Sequence, residues 1–366
     1  MGSRSKSISL TGERSSFPRG TALLERPTGA EEFERALRES LRGFRDLCLI
    51  KAALELGVFE RFERPTTVQA LGKELGLKRQ ILYLFLENLV RLGFLQREGE
   101  GYSLSPLGRT FLSHRSPYSQ LRRIKHEIGR VLRWLDLPRL LREGAFPHQK
   151  ASFFSEVIHA LAEERLLGGL QETVEVLLGL EGFKQARRCL DLGGGHGLFA
   201  IAFTKVREDL EVDVLDLPRV LEETKDYLRR YKAKRVRLLP GDFFRDELGT
   251  DYDLVFSAYN PAGKRAELIP KVFRCLKEGG TYVNQQFFPE GDRFFTTEDL
   301  DWNLWSFGMR KGLKAYTFEG DLDLKEYLEA LERGGFRVRD VLEMRRGDKM
   351  IIAQKLLTKG GRPVTP

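Results

Sequence analysis

The sequence is poor in residues that bind metals or form disulfide bridges. Its 366 residues include three cysteines (Cys48, Cys189 and Cys275) and five histidines, and neither set has metal-ligand spacing. We therefore expect no metal site and reduced cysteines within the core. No apolar segment approaches the ~20 residues that span a membrane, and the first residues lack the apolar core of a signal peptide. These absences predict a cytoplasmic protein without a membrane span.

The composition is that of a folded protein, and the length of 366 residues is sufficient for two domains. Hydrophobic residues make up 41% and charged residues 31% of a chain that is long enough to bury a sizeable core. The net charge of +8 raises the question of an anionic partner, and the location of the charges matters more than their sum. Residues 1–30 are rich in Ser, Arg, Gly and Pro and show no apolar period, which predicts a flexible basic arm.

The rest of the chain is organised around one glycine-rich stretch, residues 188–197, with the sequence RCLDLGGGHG. This stretch predicts a short buried strand, a glycine turn and the start of a helix. Gly193 and Gly195 carry no Cβ, so the loop backbone can approach a ligand closely. Free N–H groups at the following helix start favour electron-rich ligand atoms. Together these features predict the nucleotide-binding corner of an open α/β sheet.

The spacing of the glycines favours S-adenosylmethionine (SAM) over a dinucleotide. The dinucleotide fingerprint needs a small residue at position 198, where the chain has Leu198. Asp191 ends the strand two residues before Gly193, and a carboxylate at this place can pair with an ammonium group. SAM carries an amino acid, whereas a pyrophosphate has no ammonium group. Asp191 therefore points to SAM.

Two more acidic residues end the next two predicted strands. Asp216 follows the apolar strand VDVL, and an acid at this place meets ribose hydroxyls, with Leu217 beside it. Asp242 follows the third strand and can accept a hydrogen bond from the adenine amino group, while the ring of Phe243 covers the adenine face. Three acids at three successive strand ends predict one SAM site.

The motifs DLGGGHG from Asp191, DLP from Asp216 and GDFF from Gly241 resemble those of the plant-type small-molecule O-methyltransferase family, which is SAM-dependent. The resemblance runs from about residue 40 to about residue 357. It implies an α/β Rossmann-like methyltransferase domain, an N-terminal all-α/winged-helix dimerisation domain and a homodimer. Bacterial members modify antibiotics, carotenoids and bacteriochlorophylls, so the motifs do not identify the substrate.

Residues 31–118 predict a winged helix, with one helix begun by Thr66 as a cap, a second over residues 78–92 and a glycine-tipped hairpin. Winged helices also occur in DNA-binding regulators, so a SAM-sensing regulator is an alternative function. Residues 81–86 are apolar on all sides, however, whereas a helix in the major groove presents polar side chains. The 14 Lys and Arg of this domain against 12 Asp and Glu leave a net charge of only +2. We expect no nucleic-acid partner and a helix buried against a second subunit.

Residues 119–180 predict helices that link the two domains and, by the resemblance, roof the substrate pocket. Eight Lys and Arg stand against three acids in residues 119–150. They predict either a solvated basic face or contacts to an anionic substrate through Arg122, Arg130 or Arg133. His159, in the last of these helices, either packs or reaches the pocket.

The resemblance fails after the fourth strand of the catalytic domain. Family members carry Lys and then His four residues apart there; the Lys helps to hold the cofactor, and the His is the general base. Ala258 and Ala262 stand at those places here, and residues 284–286 lack the Glu that commonly supports the His. Tyr259 is therefore our first candidate for orienting the substrate, and His159 is the candidate for a base from another helix.

The missing His leaves the acceptor atom open. SAM is a reactive sulfonium, so a close and desolvated thiolate, amine, enolate-like carbon or ionised phenol can attack it unaided. We predict a methyltransferase that acts on a small molecule, either anionic or a large ring, in a catalytic domain over residues 181–358, with a tail over 359–366. The alternative within the family is a SAM-binding protein with decarboxylase or hydroxylase chemistry. The predicted cofactor contacts are Asp191, Gly193, Gly195, Asp216, Leu217, Asp242, Phe243 and Ser257.

Overall fold

The computed structural model describes residues 26–148, 150–261, 263–288 and 294–357, without the side chains of residues 150–152, 155 and 156. Most of the predicted arm and the whole predicted tail lie outside the described residues. The helices are α1 (Ala30–Glu55), α2 (Val58–Arg61), α3 (Val68–Leu75), α4 (Arg79–Arg91), α5 (Pro106–Phe111), α6 (Leu121–Leu132), α7 (Leu137–Glu143), α8 (Lys150–Arg165), α9 (Gly169–Gly179), α10 (Glu181–Gln185), α11 (Leu198–Val206), α12 (Pro218–Tyr231), α13 (Ile269–Cys275), α14 (Thr297–Asn303) and α15 (Leu324–Arg333). The strands are β1 (Leu95–Glu98), β2 (Gly101–Leu104), β3 (Phe146–Pro147), β4 (Arg188–Leu192), β5 (Glu211–Asp216), β6 (Val236–Pro240), β7 (Tyr252–Ala258), β8 (Leu276–Gln286), β9 (Trp305–Ser306), β10 (Phe336–Glu343) and β11 (Lys349–Lys355).

The N-terminal domain contains the predicted winged helix. Strands β1 and β2 form an antiparallel hairpin that closes at Glu98 and Gly101. Helix α3 is capped by Thr67 and not by Thr66, because the Thr67 hydroxyl accepts a hydrogen bond from the Ala70 N–H at 3.2 Å. The helix ends at Gly76, which has the left-handed conformation expected of a C-terminal glycine.

In the single chain only one side of α4 is buried, and its burial against a second subunit stays a prediction. Leu82 and Leu86 are buried in the domain core, but Ile81 is 69% exposed and Leu84 is 55% exposed. Contiguous exposed apolar faces mark protein interfaces, and α4 leaves such a face for a second subunit. A second exposed apolar stripe lies on α1 and consists of Phe33, Leu37, Leu41 and Phe44.

The three cysteines are free thiols in different surroundings. Cys189 and Cys275 are buried as predicted, whereas Cys48 is exposed on α1, which corrects its assignment to the core. The described His, Cys, Asp and Glu residues form no group of three that could hold a metal ion. In the described part of the chain, no helix has the length and apolar character needed to cross a membrane.

The C-terminal domain is built on a seven-stranded sheet in the order β10-β11-β8-β7-β4-β5-β6. Strands β4 to β8 pair in parallel with one another, and β11 pairs antiparallel with β8 and β10. The chain runs outward from β4 in one direction and from β7 in the other, so the carboxyl ends of these two strands border a crevice. Apolar cores lie on both faces, one under α9, α11 and α12 and the other under α13 and α15.

The linking helices lie between the two domains. Helix α8 packs against α6 and α12, and β3 forms a short parallel pair with β9. The apolar residues along and beyond α6 are only partly buried. Leu121 and Ile128 are buried, but Val131 and Leu135 are 42% and 68% exposed.

Candidate active site

The glycine loop follows β4 and places its backbone against the strands on both sides. The Gly193 N–H donates to the Leu215 carbonyl of β5 at 2.8 Å. Gly193 has a φ of 68°, and a Cβ there would lie 3.0 Å from the Asn260 side chain. Both facts exclude a larger side chain, which explains the glycine at this position. Gly195 also has a positive φ, of 53°, and the space beside its Cα is open.

Asp191 is a buried carboxylate beneath this loop. Its side chain is 1% exposed, and its Oδ2 has no hydrogen-bond partner among the described residues. Burial, together with the charge of Asp216, raises the pKa of Asp191 to about 7, although the Ala200 N–H opposes the shift. A buried acceptor without a partner is costly, so this oxygen fits a ligand that brings a positively charged donor.

Asp216 ends β5 directly beside the loop. Its Oδ2 accepts from the Gly195 N–H at 2.9 Å, and its Oδ1 accepts from the Leu217 N–H at 2.7 Å. These two backbone donors hold the carboxylate at the mouth of the glycine turn. Carboxylate oxygens have further lone pairs, so Asp216 can still accept hydrogen bonds from ligand hydroxyls.

Asp242 and Phe243 follow β6, the next strand along. The Asp242 Oδ1 accepts from the Phe244 N–H at 3.0 Å, which forms a tight turn. Phe243 is partly buried against one of the two sheet cores and lies 4.9 Å from the Phe244 ring. The structure therefore brings the three predicted acids to one edge of the sheet, at the ends of β4, β5 and β6.

Ser257 and Asn260 close the crevice from the β7 side. The Asn260 Nδ2 donates to the Leu192 carbonyl at 2.6 Å and to the Ser257 Oγ at 2.9 Å. The sequence analysis did not identify Asn260 as a site residue. Its position just after β7 and before Pro261, at the edge of the predicted site, could have indicated it. Ser257 is fully buried and holds Asn260 in place. Its predicted contact with the cofactor stays a prediction.

Tyr259 has its hydroxyl in a buried polar cluster. The hydroxyl donates to the Asp348 Oδ2 at 2.6 Å and accepts from the Gln285 Nε2 at 2.8 Å. Burial is the main cause that raises the pKa of Tyr259 above its usual range. The Tyr259 backbone has a φ of 52°, an uncommon value for a tyrosine. This strained conformation is found next to the crevice, where strain is often functional.

His159 makes two contacts to α12. Its Nδ1 lies 2.8 Å from the Tyr227 hydroxyl, and its Nε2 lies 3.0 Å from a Glu223 carboxylate oxygen. Both ring nitrogens are therefore engaged, and a role as general base would require one of these contacts to break. The structure does not bring His159 into the Tyr259 cluster, and its catalytic role stays a prediction.

Comparisons with known proteins agree with this geometry. An O-methyltransferase domain profile matches residues 147–283, and an O-methyltransferase dimerisation domain profile matches residues 39–114. An uncharacterised protein of Methanocaldococcus jannaschii is 34% identical over 81% of this chain and 82% of its own. Acetylserotonin O-methyltransferase of Mus musculus is 32% identical over 68% of this chain and 71% of its own. The chain belongs to the O-methyltransferase family.

Two further proteins show how widely this similarity extends. The N,N-dimethyltransferase OxyT of Streptomyces rimosus is 25% identical over 88% of this chain and 96% of its own. The crystal structure of human N-acetylserotonin methyltransferase in complex with SAM has a TM-score of 0.68 at 22% identity, over 90% of this chain and all of that one. These findings confirm the predicted fold class, the methyltransferase activity and SAM as the methyl donor. The dimerisation domain supports the predicted homodimer.

The methyltransferase departs from its family at the end of β7. Ala258 pairs with Gln285 of β8 and presents only a methyl group where the family has Lys. Ala262, at the place of the family's His, lies outside the described residues. On β8, Asn284 is fully buried and its Nδ2 donates to the Gly263 carbonyl at 2.5 Å. Described side chains around Ala258 thus offer no copy of the family's usual base.

The basic residues of the linking helices are mostly engaged with other side chains. Arg130 is paired with Asp301, and it also contacts Glu127 at 3.4 Å. The Arg133 Nη1 lies 3.1 Å from the His148 Nε2. Contacts within the protein therefore occupy two of the three arginines predicted to meet an anionic substrate.

Proposed function

We propose that this methyltransferase methylates a small molecule whose acceptor atom needs no histidine base. The observation that carries the proposal is the SAM corner beside a β7 end formed by Ala258, Tyr259 and Asn260. An alanine and an amide cannot take a proton at neutral pH, and the pKa of Tyr259 is raised. An amine, a thiolate, an enolate-like carbon or an ionised phenol meets this condition.

The residues at the edge of the sheet fit SAM. Asp191 would hold the ammonium group, Gly193 and Gly195 would line the methionine end, and Asp216 with Leu217 would hold the ribose. Asp242, Phe243 and Ser257 would complete the adenine and methionine contacts. When bound, SAM supplies an electrophilic methyl group on a sulfonium. The chain's own contribution is to place that group and the acceptor together in a site that excludes water.

The acceptor pocket would lie beyond Tyr259, under α6 and α8. The Tyr316 ring stacks on the Phe287 ring, with 5.3 Å between the ring centroids and an interplanar angle of 25°. The Trp302 ring centroid lies 5.6 Å from that of Tyr316. The charges of Glu164 and Arg130 both act on the Tyr316 hydroxyl, and Tyr316 is 57% exposed. Flat aromatic walls beside charged groups support our proposal of an acceptor that is a large ring or carries an anionic group.

Calorimetric titration with SAM, with NAD as the comparison ligand, tests the cofactor assignment. We expect micromolar SAM binding and no NAD binding. S-adenosylhomocysteine formation would then be measured with a panel of amines, thiols, phenols and acidic aromatic compounds. Methyl transfer to at least one class supports the proposal, whereas turnover of an acceptor without S-adenosylhomocysteine would favour decarboxylase or hydroxylase chemistry.

The proposal includes the domain boundaries, with a dimerisation domain over residues 31–118, linking helices over 119–180 and a catalytic domain over 181–358.

A further inference from the structure

Arg165 is a buried cation with one open donor, although Glu164 and the Tyr259 hydroxyl are partners of its guanidinium. It is the last residue of α8 and is 6% exposed, and its Nη1 has no hydrogen-bond partner among the described residues. Its nearest acid is Glu164, at 3.6 Å from Nη2, and Glu164 is itself hydrogen-bonded to Arg346. A guanidinium cannot lose its charge in a protein. Burying it with an open donor is therefore costly, unless a ligand completes its hydrogen bonds.

The Arg165 guanidinium lies between the linking helices and the SAM corner. Its Cζ is 3.9 Å from the centroid of the Tyr259 ring, and Tyr259 directly follows Ala258. The next residue, Asn260, contacts the backbone of the glycine loop. Arg165 thus lies close to the end of β7, where Ala258 occupies the position of the family's Lys.

The charge of Arg165 also acts on His196, a residue of the glycine loop. His196 is buried within the loop, and its Nδ1 accepts from the Leu198 N–H at 3.1 Å. Burial and, secondarily, the charge of Arg165 lower the pKa of His196 to about 3. The imidazole is therefore neutral at physiological pH, whereas Arg165 keeps its charge beside the loop.

We propose that Arg165 binds the carboxylate of the methionine end of SAM. It would replace the positive charge of the Lys that the family carries at the end of the strand corresponding to β7. Asp191 and Arg165 then offer one group of each sign to a zwitterion, the acid to its ammonium and the guanidinium to its carboxylate. A planar guanidinium with an open donor suits a carboxylate, since it can form two parallel hydrogen bonds. The proposal rests on the placement of SAM in the proposed function.

Three ligands separate the two charges in a calorimetric experiment on the full chain. S-adenosylhomocysteine carries both the ammonium and the carboxylate. Its decarboxylated analogue, S-adenosyl-3-thiopropylamine, keeps the ammonium alone, and 5′-methylthioadenosine carries neither group. Each is titrated into the wild type and into the variants Arg165→Met and Arg165→Lys. The matched control is Arg123→Met, on α6, whose guanidinium donates a hydrogen bond to Gln120 at 3.5 Å.

We expect Arg165→Met to weaken S-adenosylhomocysteine binding about 10- to 100-fold. The two ligands without a carboxylate should bind that variant and the wild type within about twofold. Arg165→Lys should recover part of the affinity, because it restores the charge without the planar fork. Arg123→Met should bind all three ligands as the wild type does.

Two results with Arg165→Met would overturn the proposal. One is unchanged S-adenosylhomocysteine binding by Arg165→Met, which would assign Arg165 to a different anion such as an acidic acceptor. The other is an equal loss of all three ligands, which would show a purely structural role. If Arg165→Met fails to fold, the wild type still decides, because equal affinity for S-adenosylhomocysteine and its decarboxylated analogue contradicts the proposal. A wild type that binds none of the three ligands would instead refute the proposed SAM site.

Discussion

The cofactor end and the acceptor end of the site draw their residues from the chain in different ways. At the cofactor end, each group belongs to a short stretch at one strand end, as with Asp191 and the glycines that follow it. At the acceptor end, Tyr259 meets Gln285 from β8 and Asp348 from the turn before β11. Recognition of the cofactor is therefore encoded mostly locally, with Arg165 of α8 as the proposed exception, whereas the acceptor side exists only once the whole domain has folded.

The largest effect is expected from crowding the cofactor end. In Gly194→Val, the Cβ alone would lie 2.6 Å from the Asp191 carboxylate and 2.9 Å from Val214. Forcing extra atoms into a packed site costs about 3 kcal/mol at the upper end of the usual range. We expect S-adenosylhomocysteine affinity to fall about 100-fold by calorimetry.

Gly129→Ala is the matched control for this crowding. Gly129 lies within α6, and a Cβ there meets no atom within 4 Å. Replacing a helical glycine by alanine typically stabilises a protein by about 0.5–1 kcal/mol. Wild-type affinity in Gly194→Val would show that Asp191 and the loop do not form the cofactor site.

Removing the Asp216 carboxylate should have the next largest effect. In Asp216→Ala, the Gly195 and Leu217 N–H groups lose their acceptor, and the ribose loses its predicted partner. Hydrogen bonds to charged groups are worth about 1.5–3 kcal/mol, so we expect SAM affinity to fall about 10- to 100-fold in a calorimetric titration. Unchanged affinity would refute the ribose assignment.

The same local encoding explains what could be predicted from the sequence. Strands β4 to β7 and helix α15 lie where the apolar periods place them, and Asp191, Asp216 and Asp242 meet at one edge because parallel strands end together. Asn260 and Asp348 were not predicted, since their partners lie far away in the sequence. Cys48 was misplaced for a third reason: the apolar pattern of α1 does not show which of its apolar residues face the core and which lie on the exposed side.

Lowering the pH should weaken SAM binding through Asp191. Because burial raises the pKa of Asp191 to about 7, the free protein carries a proton there below pH 7. An ammonium group binds the ionised form, so the proton must leave, at a cost of about 1.4 kcal/mol for each pH unit below the pKa. We expect SAM affinity to fall about fivefold from pH 7 to pH 6, about tenfold for each further pH unit, and to level off above pH 8.

5′-Methylthioadenosine is the control for this pH effect, since it has no ammonium group. Its affinity should change by less than about twofold over the same range. A pH dependence shared by both ligands would place the titrating group elsewhere, for instance among the carboxylates that hold the ribose.

The smallest effect is expected at His159, where the two candidate roles differ most in size. A general base contributes about 10²- to 10⁴-fold to the rate, so its loss in His159→Phe would lower kcat by that factor. The contacts of both ring nitrogens to α12 predict instead a nearly unchanged kcat and a free energy of unfolding lowered by about 1 kcal/mol. Tyr227→Phe removes one of these hydrogen bonds from the other side and should lower stability by a similar amount in a denaturant titration. A hundredfold loss of kcat in His159→Phe, with Tyr227→Phe unaffected, would restore His159 as the base and extend the acceptor end of the site to α12.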